Sequence, residues 1–467
     1  MRKNEGRRSR FNVIATVAFG LTAILAADRH VKAQQTPTVG AVQPSRITIP
    51  QVMDLRQAIN IALRTHPGLA SAELKSLAAK TGIAVAAATY WPTLTAAGSL
   101  TKTLAGNSVS TSVDGTVTST TLNTDPIYTP SLTFSVPLFQ EGRLTYFMTL
   151  PSENVAKFGY NAVLSQQQVS RNDVIRSVAE AFYSVLSTKE EIKANEQLVK
   201  LNQLLLEDAK RKFEQKLIPQ AEVLTAEAAL VTAETNLTIS RTTLVRTLSD
   251  FGAVIGVDPS ATELQQLQLL DSAADLPTVE VLTDLVGRAV SVHPSIQAQD
   301  AVVKKALASL ELIESQRYPT ITGSTTVLYQ DNFNLPLDLW SVRGFLQLSW
   351  KAYDFGSLNL KLQQQRETIQ AEKRTLDQIK NQIIQSVIGT YQTFIGTRAS
   401  LESARKGLLL QQELVRTARE RFKQNLVPLS FLVQNETNLA VSEKTLNQTQ
   451  LSLRTDYAKL QAAVGAQ

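Results

Sequence analysis

The chain has 467 residues, 43% hydrophobic and 19% charged, with 47 Lys and Arg against 41 Asp and Glu. It contains no cysteine and three histidines, His30, His66 and His293, so disulfides and thiol chemistry are excluded and almost nothing remains for a histidine-based metal or acid–base site. Neither a Gly-x-x-x-x-Gly-Lys phosphate loop nor a Gly-x-Ser-x-Gly elbow is present; no catalytic residue, cofactor or metal is expected, and nothing in the chain is arranged to bind ATP.

Residues 1–33 read as an export signal. Arg2, Lys3, Arg7, Arg8 and Arg10 form a basic start, Phe11 to Ala26 an apolar stretch, and Val31-Lys32-Ala33 a small-residue cleavage site. The leader holds seven of the Lys and Arg and two of the acids, which leaves 40 against 39 and a net charge of +1. Nucleic acid is therefore not an implied partner. Beyond the leader no run of about 18 apolar residues occurs, so an exported chain either remains soluble in the periplasm or crosses a membrane as strands.

After a linker at 34–51 the sequence is duplicated. RTHPGL (Arg64 to Leu69) returns 227 residues later as SVHPSI (Ser291 to Ile296), and Trp91-Pro92-Thr93 returns at the same offset as Tyr318-Pro319-Thr320. The offset then falls to 209, where KFEQKLIP (Lys212 to Pro219) matches RFKQNLVP (Arg421 to Pro428), followed by Glu227/Glu436, Glu234/Glu443 and Gly256/Gly465. This places two structural repeats at 52–256 and 279–465, joined by a linker at 257–278.

Each repeat opens with an alanine-rich helical segment, Leu55 to Tyr90 and Asp284 to Arg317, with the His-Pro near its start. Proline in the first turn of a helix loses no hydrogen bond and presets φ, so His66-Pro67 and His293-Pro294 are expected where a short helix breaks and the next begins.

Strands follow at about 92–103 and 131–139 in the first repeat and at about 319–330 and 343–351 in the second. Leu132, Phe134, Val136 and Leu138 alternate with Thr133, Ser135 and Pro137, as Leu346, Leu348 and Trp350 alternate with Gln347 and Ser349. All three tryptophans, Trp91, Trp340 and Trp350, lie at or beside these strands, as rings at a membrane interface would. Between the first two strands Ala105 to Pro130, rich in Ser and Thr and without Lys or Arg, reads as a solvated loop.

Very long helices are expected next, from about Ser152 to Lys216 and about Ser357 to Asn425, each on the order of 100 Å at 1.5 Å per residue. They turn at Leu217-Ile218-Pro219 and Leu426-Val427-Pro428 and return as shorter helices. Val223, Leu230, Leu237, Leu244 and Phe251 repeat every seven residues, as do Leu432, Leu439, Leu446, Leu453 and Leu460. The small Ala226, Ala233 and Ser240 between them permit close coiled-coil packing. Four strands cannot close a spanning barrel, for which about eight is the practical minimum; three copies giving twelve is one solution.

These features together resemble the TolC-like outer-membrane efflux protein family: the duplicated His-Pro, the (Trp/Tyr)-Pro-Thr before the first strand, Val136 to Gly142 and Trp350 to Gly356 after the second, and the glycine closing each half. The resemblance implies a mainly α fold with a small β part, a homotrimer whose twelve-stranded outer-membrane β-barrel stands on a long periplasmic α-helical coiled-coil barrel. It implies an export duct, embedded in outer-membrane lipid, serving a tripartite efflux or type I secretion system. The hairpin tips, Leu217, Ile218, Pro219, Leu426, Val427 and Pro428, are then expected to meet a periplasmic adaptor (membrane fusion) protein of an inner-membrane transporter.

The sequence departs from the family pattern at the tips. The turn often carries glycine where Lys216 and Asn425 stand, and two aspartates of the type member correspond to Phe431 and Gln434, with Glu222 and Thr225 at the matching first-half positions. These four residues are the candidate tunnel constriction, and three Glu222 carboxylates around a trimer axis could form an acidic ring. A soluble periplasmic coiled-coil scaffold would explain the heptads but not the tryptophan-flanked strands, and an outer-membrane hydrolase lacks a nucleophile and base.

Overall fold

The computed structural model describes residues 51–102, 107–111, 117–121, 127–258, 267–270, 281–332, 339–424 and 426–465. The expected leader, nearly all of the 34–51 linker, most of the inter-repeat linker and Asn425 lie outside these residues.

The first repeat runs β1 (Val52–Met53), α1 (Leu55–Thr65), α2 (Pro67–Ala88), β2 (Thr93–Thr101), β3 (Asn107–Thr111), β4 (Val117–Thr121), β5 (Ile127–Gln140), β6 (Arg143–Leu144), α3 (Pro151–Glu214) and α4 (Gln220–Ile255). After β7 (Gln268–Leu269), the second runs α5 (Leu282–Val292), α6 (Pro294–Glu314), a short 3-10 turn at Ser315–Arg317, β8 (Thr320–Asn332), β9 (Leu339–Ser349), α7 (Ser357–Lys423) and α8 (Leu429–Val464). Both long helices are present, with 64 and 67 residues, or about 100 Å each.

The twin His-Pro joints have one physical cause. In each, Pro67 or Pro294 opens a helix, and the preceding histidine caps it: Nδ1 of His66 accepts from the Gly68 N–H at 3.1 Å and Nδ1 of His293 from the Ser295 N–H at 3.2 Å. Gly256 and Gly465, closing α4 and α8 in left-handed conformation, pack on these joints. A Cβ at Gly256 would meet the Thr65 carbonyl oxygen at 2.7 Å, and one at Gly465 would meet His293 Cα at 3.2 Å. The end of each repeat thus closes against the joint near its start.

In the sheet β2-β5-β8-β9 all neighbours are antiparallel. The four expected strands are all present, β5 beginning earlier than expected, at Ile127. Two findings differ from the sequence expectation. The segment read as a solvated loop contains the hairpin β3–β4, paired from Asn107↔Thr121 to Thr111↔Val117; its Thr and Val are β-branched residues that favour strands. Within the linker assigned to 257–278, β7 pairs in parallel with β1, and the Lys189 side chain of α3 donates to the Leu267 carbonyl beside it.

The helical body is held by packing along the long helices. Midway, Leu285 and Ala289 of α5 bury against Ile383 and Val387 of α7 and Leu460 and Val464 of α8. Further toward the tips come Phe394, Leu401 and Leu453. In α4 the small residues Ala226, Ala233 and Ser240 are fully buried while Val223, Leu230, Leu237 and Leu244 are half-covered, because the small side chains lie where neighbouring backbones approach most closely.

Candidate functional site

The strand register sorts the sheet into two chemically different faces. Leu94 pairs with Phe134; Ala96, Leu132, Val327 and Val342 align across all four strands; Val136, Gly323 and Leu346 align further along. The opposite face carries a hydroxyl ladder, with Thr133 Oγ1 and Thr326 Oγ1 3.0 Å apart and Ser135 Oγ and Ser324 Oγ 3.2 Å apart. Leu94, Leu100, Val342, Leu346 and Leu348 are all more than half exposed. An apolar face this open on a sheet whose other face is polar has no place in water. Among the described residues β2 and β9 each pair on one side only, so both sheet edges are open.

Aromatic residues mark both ends of this sheet. At one end Trp340 packs on Tyr329, ring centroids 5.0 Å apart. At the other stand Trp91, Tyr318, Trp350, Tyr353 and Phe355, each more than half exposed, with Trp350 Nε1 donating to the Arg317 carbonyl at 3.1 Å. Among the described residues no helix is long and apolar enough to cross a membrane, and no group of three or more His, Asp or Glu side chains could hold a metal ion.

Each long hairpin ends in a compact turn. Lys216 adopts φ of +60°, its N–H donates to the Phe213 carbonyl at 2.8 Å and the Leu217 N–H to the Lys212 carbonyl at 2.9 Å, the paired bonds of a Schellman ending. The Leu426 N–H makes the corresponding bond to the Arg421 carbonyl at 2.9 Å. Leu217 and Leu426 project at the tips, 66% and 67% exposed, and Pro219 and Pro428 are exposed beside them. Ile218 and Val427 are half-buried, Ile218 against the cluster of Leu206, Ala209, Ala226, Leu429 and Val433 that joins the two hairpins.

The four candidate constriction residues lie in the first two turns of α4 and α8. Glu222 is half-buried with Oε2 covered and without a hydrogen-bond partner. Thr225 is exposed, its hydroxyl donating to the Ala221 carbonyl. Phe431 is 44% exposed, and Gln434 donates to Asn438 Oδ1 at 2.9 Å.

Sequence reasoning missed the polar links that fix the hairpins. Arg419 of α7 grips Glu436 of α8 with two nitrogens on the two carboxylate oxygens, and Glu436 is only 4% exposed. Lys444 of α8 donates to Glu191 of α3 at 2.5 Å, and Lys212 Nζ stands 3.8 Å above the Phe422 ring. The last two tie the first hairpin to the second. Glu436 was visible as a repeat match, but Arg419 corresponds to Lys210 at the same offset, and no repeat signal marks the pair.

The chain thus combines a duplicated helical hairpin body with a two-faced open sheet. The sequence pattern of the outer membrane efflux protein family matches residues 58–256 and 285–466, and the chain belongs to that family. It is an outer-membrane efflux duct with a large periplasmic part, of a family of channels rather than enzymes. No curated protein matches the chain. Among solved structures it is similar to the outer membrane protein VceC of Vibrio cholerae, with 16% identity, a TM-score of 0.70, and 88% of this chain and 96% of that one covered. The Campylobacter jejuni CmeC outer membrane channel gives 13% identity and a TM-score of 0.70 over 88% and 85% of the chains. The open state of the Neisseria gonorrhoeae MtrE outer membrane channel gives 17% and 0.68 over 88% and 89%.

Proposed function

We propose that three copies of this chain close a twelve-stranded barrel in the outer membrane and continue it as a periplasmic helical tunnel. The barrel conducts substrates passively from an inner-membrane pump and its adaptor to the exterior. The observation that carries this reading is the open sheet. It has one apolar face, one hydroxyl face and two free edges, and a spanning sheet must be closed. Pairing β9 of one copy with β2 of the next satisfies both edges. From Trp340 to Trp350 the strand advances ten residues, about 33 Å at 3.3 Å per residue; tilted by about 40°, it spans roughly the 25 Å apolar band of such barrels.

In this reading the repeats 52–256 and 279–465 contribute two barrel strands each, and the leader 1–33 directs export. The tips Leu217, Ile218, Pro219, Leu426, Val427 and Pro428 receive the adaptor, and Glu222, Thr225, Phe431 and Gln434 line the constricted end. The test is the mass and outline of the detergent-extracted mature protein, by light scattering and negative-stain imaging. A trimer with a rod of about 100 Å projecting from the micelle is expected from the helix lengths. A monomer that stays in solution without detergent would favour a periplasmic coiled-coil scaffold instead.

A further inference from the structure

His66 and His293 hold the same post in their repeats, but their surroundings differ. His293 lines a half-open cleft of about 340 Å³ between α3, α6, α7 and α8. The charged groups facing it are Asp173, Arg176 and Glu180 from α3 and Lys459 from α8. Asp173 and Glu180 are each paired to Arg176 at 3.4 Å, and Lys459 stands 3.9 Å from Asp456. From α7 only uncharged groups reach this cleft and the adjoining one, Gln382, Ser386 and Thr390 among them; Arg288 of α5 lines neither. The ring also lies against the end of α8, since a Cβ at Gly465 would sit 3.2 Å from His293 Cδ2.

The cap fixes the tautomer. Nδ1 accepts the Ser295 N–H, so the neutral ring carries its proton on Nε2. A second proton can go only to Nδ1, where it would face the Ser295 N–H donor to donor. It would also set a positive charge on the N-terminus of α6, which the helix dipole disfavours, in a cleft where the nearby carboxylates are already engaged.

We propose that His293 is an acid-sensitive cap: protonation of Nδ1 breaks its bond to Ser295 and loosens the α5–α6 joint, and with it the contact to the end of α8. Burial pushes the His293 pKa below its ordinary 6.5, Asp173 opposing this in part. The sign follows: the folded state resists the proton, so the cap's contribution is complete above the ordinary value of about 6.5 and is lost as pH falls through it toward the lower folded value. The joint carries Leu285 and Ala289, which pack on the middle of α7 and the end of α8, so acidification weakens the helical body at that level.

The test is amide hydrogen exchange on the full mature protein in detergent, from about pH 7.5 to about pH 5, corrected for the intrinsic pH dependence of exchange. In the wild type the Ser295, Ile296 and Gln297 amides are expected to lose protection several-fold on acidification. His293→Asn, which caps without titrating, is expected to hold it, while His66→Asn keeps the wild-type loss at these amides. Unchanged protection in the wild type, or an equal loss in His293→Asn, overturns the proposal. The wild-type titration can do so alone should the variant fail to assemble.

Discussion

Gly256, at φ of +73°, faces the backbone of Thr65 so closely that a Cβ would come within 2.7 Å of its carbonyl oxygen, and the Thr65 hydroxyl in turn donates to the Ile255 carbonyl. A side chain here meets two penalties, left-handed strain and a clash with backbone that cannot swing aside. Gly256→Ala is expected to cost about 2–3 kcal/mol, read as a lowered thermal midpoint of the detergent-extracted protein.

Lys216 presents the opposite case. It takes φ of +60° with a side chain exposed to solvent, so it bears the strain without a packing return. Lys216→Gly should stabilise the tip by about 0.5–1 kcal/mol after the greater freedom of glycine in the unfolded chain is allowed for. Slower exchange of the Leu217 amide would register it.

The Arg419–Glu436 fork places a nearly covered carboxylate under a guanidinium that is itself half exposed. Removing the arginine alone leaves the buried charge unmatched, so Arg419→Met should cost on the order of 2–3 kcal/mol, less than a fully buried pair because water screens the arginine. The double replacement Arg419→Met/Glu436→Leu should recover most of that loss in a denaturation cycle.

Tyr90 offers a spectroscopic handle. Burial, reinforced by the negative charges of Glu141 and Glu153, raises its pKa from 10.0 to about 12. The folded state then holds a proton that the unfolded chain releases, so the contribution of Tyr90 is complete below its ordinary value and is lost as pH rises through 10 toward about 12. Burial also raises the pKa of Tyr146 and Tyr183, so ultraviolet titration should show several tyrosines ionising late, and Tyr90→Phe should reduce the late amplitude by one tyrosine.

Leu217 and Leu426 separate docking from packing. Both are two-thirds exposed, so Leu217→Asp with Leu426→Asp should shift stability by no more than about 0.5 kcal/mol each. Export in cells is expected to fail while the extracted protein keeps its mass and melting behaviour; normal export would place the adaptor elsewhere.

The strands of the main sheet, both long helices and the His-Pro joints were legible because each is written in local chemistry: a period of two, an uninterrupted run between turns, or a fixed proline. The β3–β4 hairpin was not, since its alternating Ser, Thr and Val offer no hydrophobic contrast, although Asp114-Gly115 lies between its strands. Two-residue strands such as β1 and β7 fall below any periodic signal. The site was half legible. Its exposed leucines follow from the turn, whereas Lys444–Glu191, separated by 253 residues, exists only because two hairpins are folded side by side.

The free edges of β2 and β9 also bear on how the protein is made. On the proposed trimeric reading, a lone copy placed in lipid would leave two rows of backbone donors and acceptors of the described sheet without partners, so insertion and assembly would be one event. Maturation should therefore depend steeply on how fast the chain is synthesised. A copy with a damaged edge would also poison the partners it joins, making such mutations dominant even where intact copies are plentiful.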